Sequence, residues 1–204
     1  MGLYRQAAAS QKCNHMTRIF QPRTKTNGPR REPKKSTCPR TSEMDSNDRA
    51  DFLSGIVDYD HWRVKRDYFL LPEEKWGPHS VDRFANHENT QLPRFNSRFW
   101  CPCTEAVDAF SFSWAGENNW LVPPIFLIPK VLNHMAALGG RPTLVVPAWP
   151  SAPFWPLIFT DAWGFVSHIL EIPLGTDVFV LGNYKNSLFG SPNFRSGVLF
   201  LRLS

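Results

Sequence analysis

An α/β domain of three layers around a mostly parallel sheet is the fold this sequence predicts, and three observations predict it. Thr143-Leu144-Val145-Val146 is an unbroken apolar run, the pattern of a strand buried on both faces of a parallel sheet. Just before it, Leu127, Val131, Leu132 and Met135 recur at helical spacing and share one face. Gly139-Gly140 then ends the turn, as glycines do after a helix. The whole chain reads β–α–β–α–β–β–β, an alternation that stacks helices against a sheet.

The 204 residues suffice for one domain and a tail. Hydrophobic residues make up 42%, and 8 Trp and 16 Phe supply large buried areas despite 18 Pro. The net charge of +5 is unevenly placed. Residues 1–40 hold ten Lys/Arg and only Glu32 as an acid, a net +9, which leaves −4 for the rest. Residues 1–45 lack sustained periodicity and are expected to be a disordered basic tail, able to attract nucleic acid without sequence preference. No apolar run is long enough to span a membrane, and the first residues have no apolar signal region. The expected location is intracellular, nuclear or cytoplasmic, with Cys13, Cys38, Cys101 and Cys103 reduced. Cys101-Pro-Cys103 is too tight for a zinc ribbon and has no second pair, so no metal site is expected.

Taken in order, Asn47 can cap a helix over Asp48–Ser54, where Asp48 and Asp51 suit the positive end of the dipole. Arg66–Lys75 is a second helix with Tyr68, Phe69 and Leu71 inward, and Pro72 predicts that it is short or broken. Ser80–Ala85 alternates like a strand. Residues 86–107 are polar and irregular, and read as a long loop. Within it, Arg94 and Arg98 interleave with Phe95, Phe99 and Trp100. Such a set could stack single-stranded nucleic acid, or simply pack beneath the loop. Val107–Phe110 is a short strand or turn. The strand ending at Val122 stops at Pro123-Pro124, because proline cannot donate to a ladder. Helices Phe126–Leu138 and Phe154–Thr160 follow, with strands at His168–Ile172, Asp177–Leu181 and Gly197–Leu203. The last two are expected to form an antiparallel hairpin across the loop Gly182–Arg195.

Several stretches carry a resemblance. They are Asn47–Ser54, Trp76–Ala85, Gln91–Ser97, Ala106–Phe110, Gly116–Pro124 and Pro147–Trp155. In order and spacing they resemble the segment downstream of RNase H in polyproteins of DIRS-type retrotransposons, over about three-quarters of the chain. The resemblance divides the sequence into the tail (1–45), a remnant of the RNase H C-terminal helix with linker (46–68), and a methyltransferase-like domain (69–204). Asp51 matches the last acidic metal ligand of RNase H. A two-metal site holds its ions ~3.5–4 Å apart with several carboxylates, so one aspartate implies no nuclease activity.

From Phe69 onward the chain resembles phage-type DNA adenine-N6 methyltransferases. The resemblance implies cofactor-binding positions at Asp82, Phe84, Ala85 and Asp108, and a catalytic loop at Val122-Pro123-Pro124-Ile125. That loop is Asn/Asp-Pro-Pro-Tyr/Phe in the family. Val122 has no hydrogen-bond acceptor for the adenine amine, and Ile125 has no ring to stack on a flipped base. The expectation is a degenerate, non-catalytic module that contacts nucleic acid or other polyprotein domains. It is expected to hold no cofactor; S-adenosylmethionine is the one to fit should a pocket remain. Two alternatives stay open: an active adenine methyltransferase in which Asn118 or Asn119 supplies the acceptor, and a nucleic-acid-binding protein acting through its basic tail.

Overall fold

The computed structural model describes residues 62–159, 164–181 and 187–204, and the backbone of 16–18. The expected helix at Asn47–Ser54, with Asp51, lies outside them, as does the rest of residues 1–61.

Strands β1 (Met16–Arg18) and β2 (Arg63–Val64) precede helix α1 (Arg66–Trp76). Helix α1 runs unbroken through Pro72, against the expectation of a break. Phe69 and Pro72 are three residues apart and both buried, so the proline ring joins the inward face and offsets its lost hydrogen bond. Asp67 in the first turn and Lys75 in the last suit the dipole. Next come β3 (Val81–Asp82), β4 (Asn96–Ser97), β5 (Ala106–Val107) and a 3₁₀ turn at Ala109–Ser111. Strand β6 (Asn119–Leu121) ends at the two prolines. A 3₁₀ turn (Ile125–Leu127) leads into α2 (Ile128–Leu138), which stops at Gly139 with φ +70. Strand β7 (Thr143–Pro147), helix α3 (Trp155–Phe159), and strands β8 (Val166–Ile172), β9 (Phe179–Val180) and β10 (Val198–Leu203) complete the fold.

The main sheet has the order β1-β8-β10-β7-β6-β3. Its β3–β6, β6–β7 and β1–β8 pairs are parallel, and β10 is antiparallel to both neighbours. The sheet is therefore mixed. The hairpin expected at the C-terminus does not form. Leu199, Leu201 and Leu203 point to one face while Val198 and Phe200 point to the other, so β10 is apolar on both sides and takes a central position. Strand β9 instead pairs antiparallel with β2, placing Phe179 opposite Val64. Strand β1, in the segment expected to be disordered, covers the otherwise open edge of β8, where unpaired backbone groups recruit a strand.

The long loop expected over 86–107 also carries sheet structure. Strands β4 and β5 form a parallel ribbon, stitched to β3 by a bridge between Asp82 and Phe95. The Asp82 amide donates to Arg94 O at 3.0 Å, and the Ala85 amide to Asn96 O at 3.1 Å. Read across this bridge, the strands run β5-β4-β3-β6-β7, all parallel. Alternate side chains divide the core. Leu121, Leu144 and Val146 meet α2 and α3 on one face; Trp120, Val145 and Phe200 meet Phe69 of α1 and the β2–β9 ribbon on the other. Helices thus lie on both faces of the sheet, in keeping with the expected α/β class. No helix among the described residues is long and apolar enough to cross a membrane.

Candidate functional site

The chain leaves β3, moves outward through β4 and β5, then returns to the other side of β3 to form β6. The winding direction thus reverses between β3 and β6. In an open α/β sheet the ligand crevice lies at the carboxyl ends of the strands flanking such a reversal, because the two connections diverge there. A cleft of about 360 Å³ opens at this place. Phe84, Ala85 and Asp108, expected as cofactor-binding residues, line it together with Val122 and Pro124 of the expected catalytic loop.

The remaining expected residues part company. Asp82 is 2% exposed and does not line the cleft. Its Oδ2 accepts from the Gln91 amide at 3.0 Å, and its Oδ1 has no hydrogen-bond partner among the described residues. Burial pushes its pKa up to about 7, with the Gln91 and Phe84 amides pulling the other way. It therefore folds the 86–91 turn onto β3 and offers no carboxylate to a cofactor. The paired position on β6 is Trp120, whose buried Nε1 also lacks a partner among the described residues. Pro123 is buried. Ile125 packs against both core clusters, whereas Phe126 is 65% exposed and lines the cleft.

Asp108 sits at φ +61, a conformation rare for residues with a side chain. Its Oδ1 accepts from the Phe110 amide at 3.1 Å and its Oδ2 from Ser111 Oγ at 3.4 Å, which caps the Ala109–Ser111 turn. The turn carries Phe110 into the cleft wall. Beneath it Trp114 donates Nε1–H to Ala109 O at 2.8 Å and contacts the rings of Phe84 and Phe110.

Of the residues expected to touch nucleic acid, Arg98 and Phe99 line the cleft; the Arg98 guanidinium lies 5.1 Å from the Phe99 ring centroid. Phe95 is buried with Ala85 and Cys101, so its ring has no open stacking face. Arg94 is exposed but held by Glu105 at 2.8 Å and Glu117 at 3.0 Å, which neutralises it. Trp100 is half-buried. Packing beneath the connection accounts for Phe95, the less elaborate of the two readings.

Arg83 lines the cleft too, and like Phe110, Phe126 and Lys130 it was not among the expected site residues. It is 6% exposed and follows β3 directly. Its Nε donates to Asn119 Oδ1 and its Nη1 to Asn96 Oδ1, both at 2.7 Å. Asn119 Nδ2 donates to the carbonyls of Trp114 and Glu117, each at 2.9 Å, which turns its oxygen toward Arg83. Asn118 is equally committed: Nδ2 donates to Trp76 O and Pro78 O, and Oδ1 accepts from Arg202 Nη1 at 2.6 Å. Neither asparagine supplies the acceptor that Val122 lacks.

One polar chain resembles a hydrolase relay. Glu73 bonds His79 Nδ1, and His79 Nε2 lies 2.8 Å from Thr143 Oγ1. Burial pulls the His79 pKa down, against the raising effect of Glu73, so the neutral imidazole accepts from the hydroxyl. Thr143 is 0% exposed, so the chain ties α1 to β7 and meets no substrate. Cys101 is buried, and Cys103 is disulfide-bonded, which departs from the expectation of reduced thiols throughout. No group of three or more metal-ligating side chains occurs among the described residues.

S-adenosylmethionine does not fit the residues present. Its sulfonium is a cation, and the cleft is lined by Arg83, Arg98 and Lys130 against one acid, Asp108, already hydrogen-bonded. Among the described residues no glycine lines the cleft to let backbone approach a ligand. The chain matches no known protein-family model and no curated protein.

Proposed function

We propose that this chain is a degenerate, non-catalytic DNA adenine methyltransferase-like module of a retroelement polyprotein of the DIRS type, with a structural or nucleic-acid-contacting role. The observation that carries this reading is the state of the loop after β6. Val122 and Pro124 line a cleft at the reversal point of the sheet, facing Phe84, Ala85 and Asp108. The loop is where a catalytic tetrapeptide would stand. Yet Val122 offers no acceptor, and the fourth position, Ile125, is turned into the core. An exocyclic adenine amine has its lone pair delocalised into the ring and needs an acceptor to become nucleophilic. Loss of one such charge-stabilising hydrogen bond typically lowers a rate by about 10²–10³.

Both residues that could substitute, Asn118 and Asn119, hold backbone carbonyls and arginines in place. This weighs against the alternative of an active enzyme. The other alternative, nucleic-acid binding through the basic tail, rests on the +9 charge of residues 1–40 alone.

The test is methyl transfer from labelled S-adenosylmethionine to adenine-containing DNA, single- and double-stranded, by the full chain. The expected result is incorporation at background level. Turnover that Val122→Ala or Pro124→Ala removes would overturn the proposal.

A further inference from the structure

We infer that the cleft between β3 and β6 binds an aromatic phosphate ester, a nucleoside monophosphate or the terminal nucleotide of a strand, with the phosphate on Arg83 and the ring against Phe126. The inference rests on the proposed function only in using the same cleft.

Arg83 is a buried guanidinium whose two hydrogen bonds go to neutral amide oxygens. Burying a charge is costly unless it is paired. The acids whose charge acts on Arg83, Glu105 and Glu117, are instead bonded to Arg94. Asn119 is itself clamped by two carbonyls, so the guanidinium is fixed in orientation as well as position. Its Nη2 makes no hydrogen bond among the described residues. A planar, oriented guanidinium lining an open cleft with no carboxylate on it is preorganised for an anion, and its geometry matches phosphate.

The surroundings agree in sign. Lys130 stands at the cleft with Nζ 3.9 Å from the Phe110 ring centroid, so its ammonium is held over the wall. The single acid, Asp108, has both oxygens engaged by the Ala109–Ser111 turn. The apolar side of the ligand is provided for separately. Phe126 presents 65% of its surface and Phe99 37%, both on the lining. An exposed ring beside fixed cations is the combination that holds a base and its phosphate together. The cleft volume of about 360 Å³ suits one small ligand.

The test is calorimetric titration of the full chain with adenosine monophosphate, adenosine and inorganic phosphate. Adenosine monophosphate is expected to bind at least tenfold more tightly than adenosine, since a charge-assisted hydrogen bond is added. The basic N-terminal segment also attracts phosphate, so two surface variants identify the cleft. Phe126→Ala should weaken adenosine monophosphate about tenfold and leave inorganic phosphate unchanged. Lys130→Gln should weaken both several-fold. Arg83→Gln should bring the nucleotide down to the affinity of adenosine; if that variant fails to fold, the other two still decide. Competition by a 5′-phosphorylated oligonucleotide, and not by its 5′-hydroxyl form, identifies a strand end as the source. Binding of the nucleotide without that competition identifies the free ester, and both outcomes support the phosphate site. Equal affinity for adenosine and its monophosphate, or nucleotide binding untouched by Phe126→Ala and Lys130→Gln, overturns it. Neither of those results would restore methyl transfer, so this inference can fail while the proposed function stands.

Discussion

Asp82→Asn is expected to raise stability at pH 8 by up to about 4 kcal/mol and to leave it unchanged near pH 4. The carboxylate is buried, its Oδ1 has no partner among the described residues, and its pKa lies at about 7 in the fold. An unfolded aspartate titrates near ~3.9, and each unit of difference corresponds to about 1.4 kcal/mol. The folded state therefore holds its proton more tightly than the unfolded state. Stability from this group is fully present below about pH 4 and is lost as pH rises through about 7. Asparagine keeps an oxygen for the Gln91 amide and removes the charge. His79 acts in the opposite direction: its lowered pKa favours the neutral ring, so its contribution is lost as pH falls. Because His79 is the same in both proteins, the difference between their urea midpoints from pH 5 to pH 8 isolates Asp82. A variant less stable than the parent at pH 8 would show that the ionised carboxylate is needed.

Trp114→Ala is expected to cost about 3–5 kcal/mol, the range for truncating a buried aromatic. Trp114 is 0% exposed and lies behind Phe84 and Phe110 of the cleft wall. Its ring meets Phe84 after β3, Phe110 after β5 and His134 on α2, at centroid distances of 6.1, 5.8 and 4.4 Å. Its indole N–H holds Ala109 O. Removing it empties the volume that fixes three walls of the site at once, so the cleft should lose its ligand even where the chain stays folded. Chemical denaturation reads the stability loss. A loss below about 1 kcal/mol would mean that the walls are held by some other contact.

The elements with strong periodicity were legible in advance. Helix α2 and strand β7 follow from Leu127, Val131, Leu132, Met135 and the run Thr143–Val146, because only one face, or no face, of each meets water. Strand β10 was legible as a strand but not as the centre of the sheet. Local pattern says nothing about partners, and the nearest strand in sequence, β9, pairs elsewhere. Strands β4 and β5 are two residues each, too short for any period, and are held by backbone bonds across the bridge at Phe95. Helix α1 passed through Pro72 because tertiary packing overrode propensity.

At the site, Phe84, Ala85, Asp108, Val122 and Pro124 do converge on one cleft, although they lie in segments far apart in sequence. Asp82 and Phe95 turned inward, since strand alternation around β3 and β4 decides the face and single residues do not announce it. Arg83 directly follows Asp82, and two adjacent charges at a strand end do not tell that the first is buried away from the cleft while the second lines it. The role of Arg83 depends on Asn96 and Asn119, 13 and 36 residues away, which no local pattern links.

The proposal that this cleft keeps the frame of a methyltransferase site without its chemistry is tested most directly by titrating the full chain with S-adenosylmethionine in a calorimeter. The expected result is no binding heat, because the cleft is lined by three cations and Asp82 is buried away from it. Saturable one-to-one binding that Ala85→Trp abolishes would contradict the account.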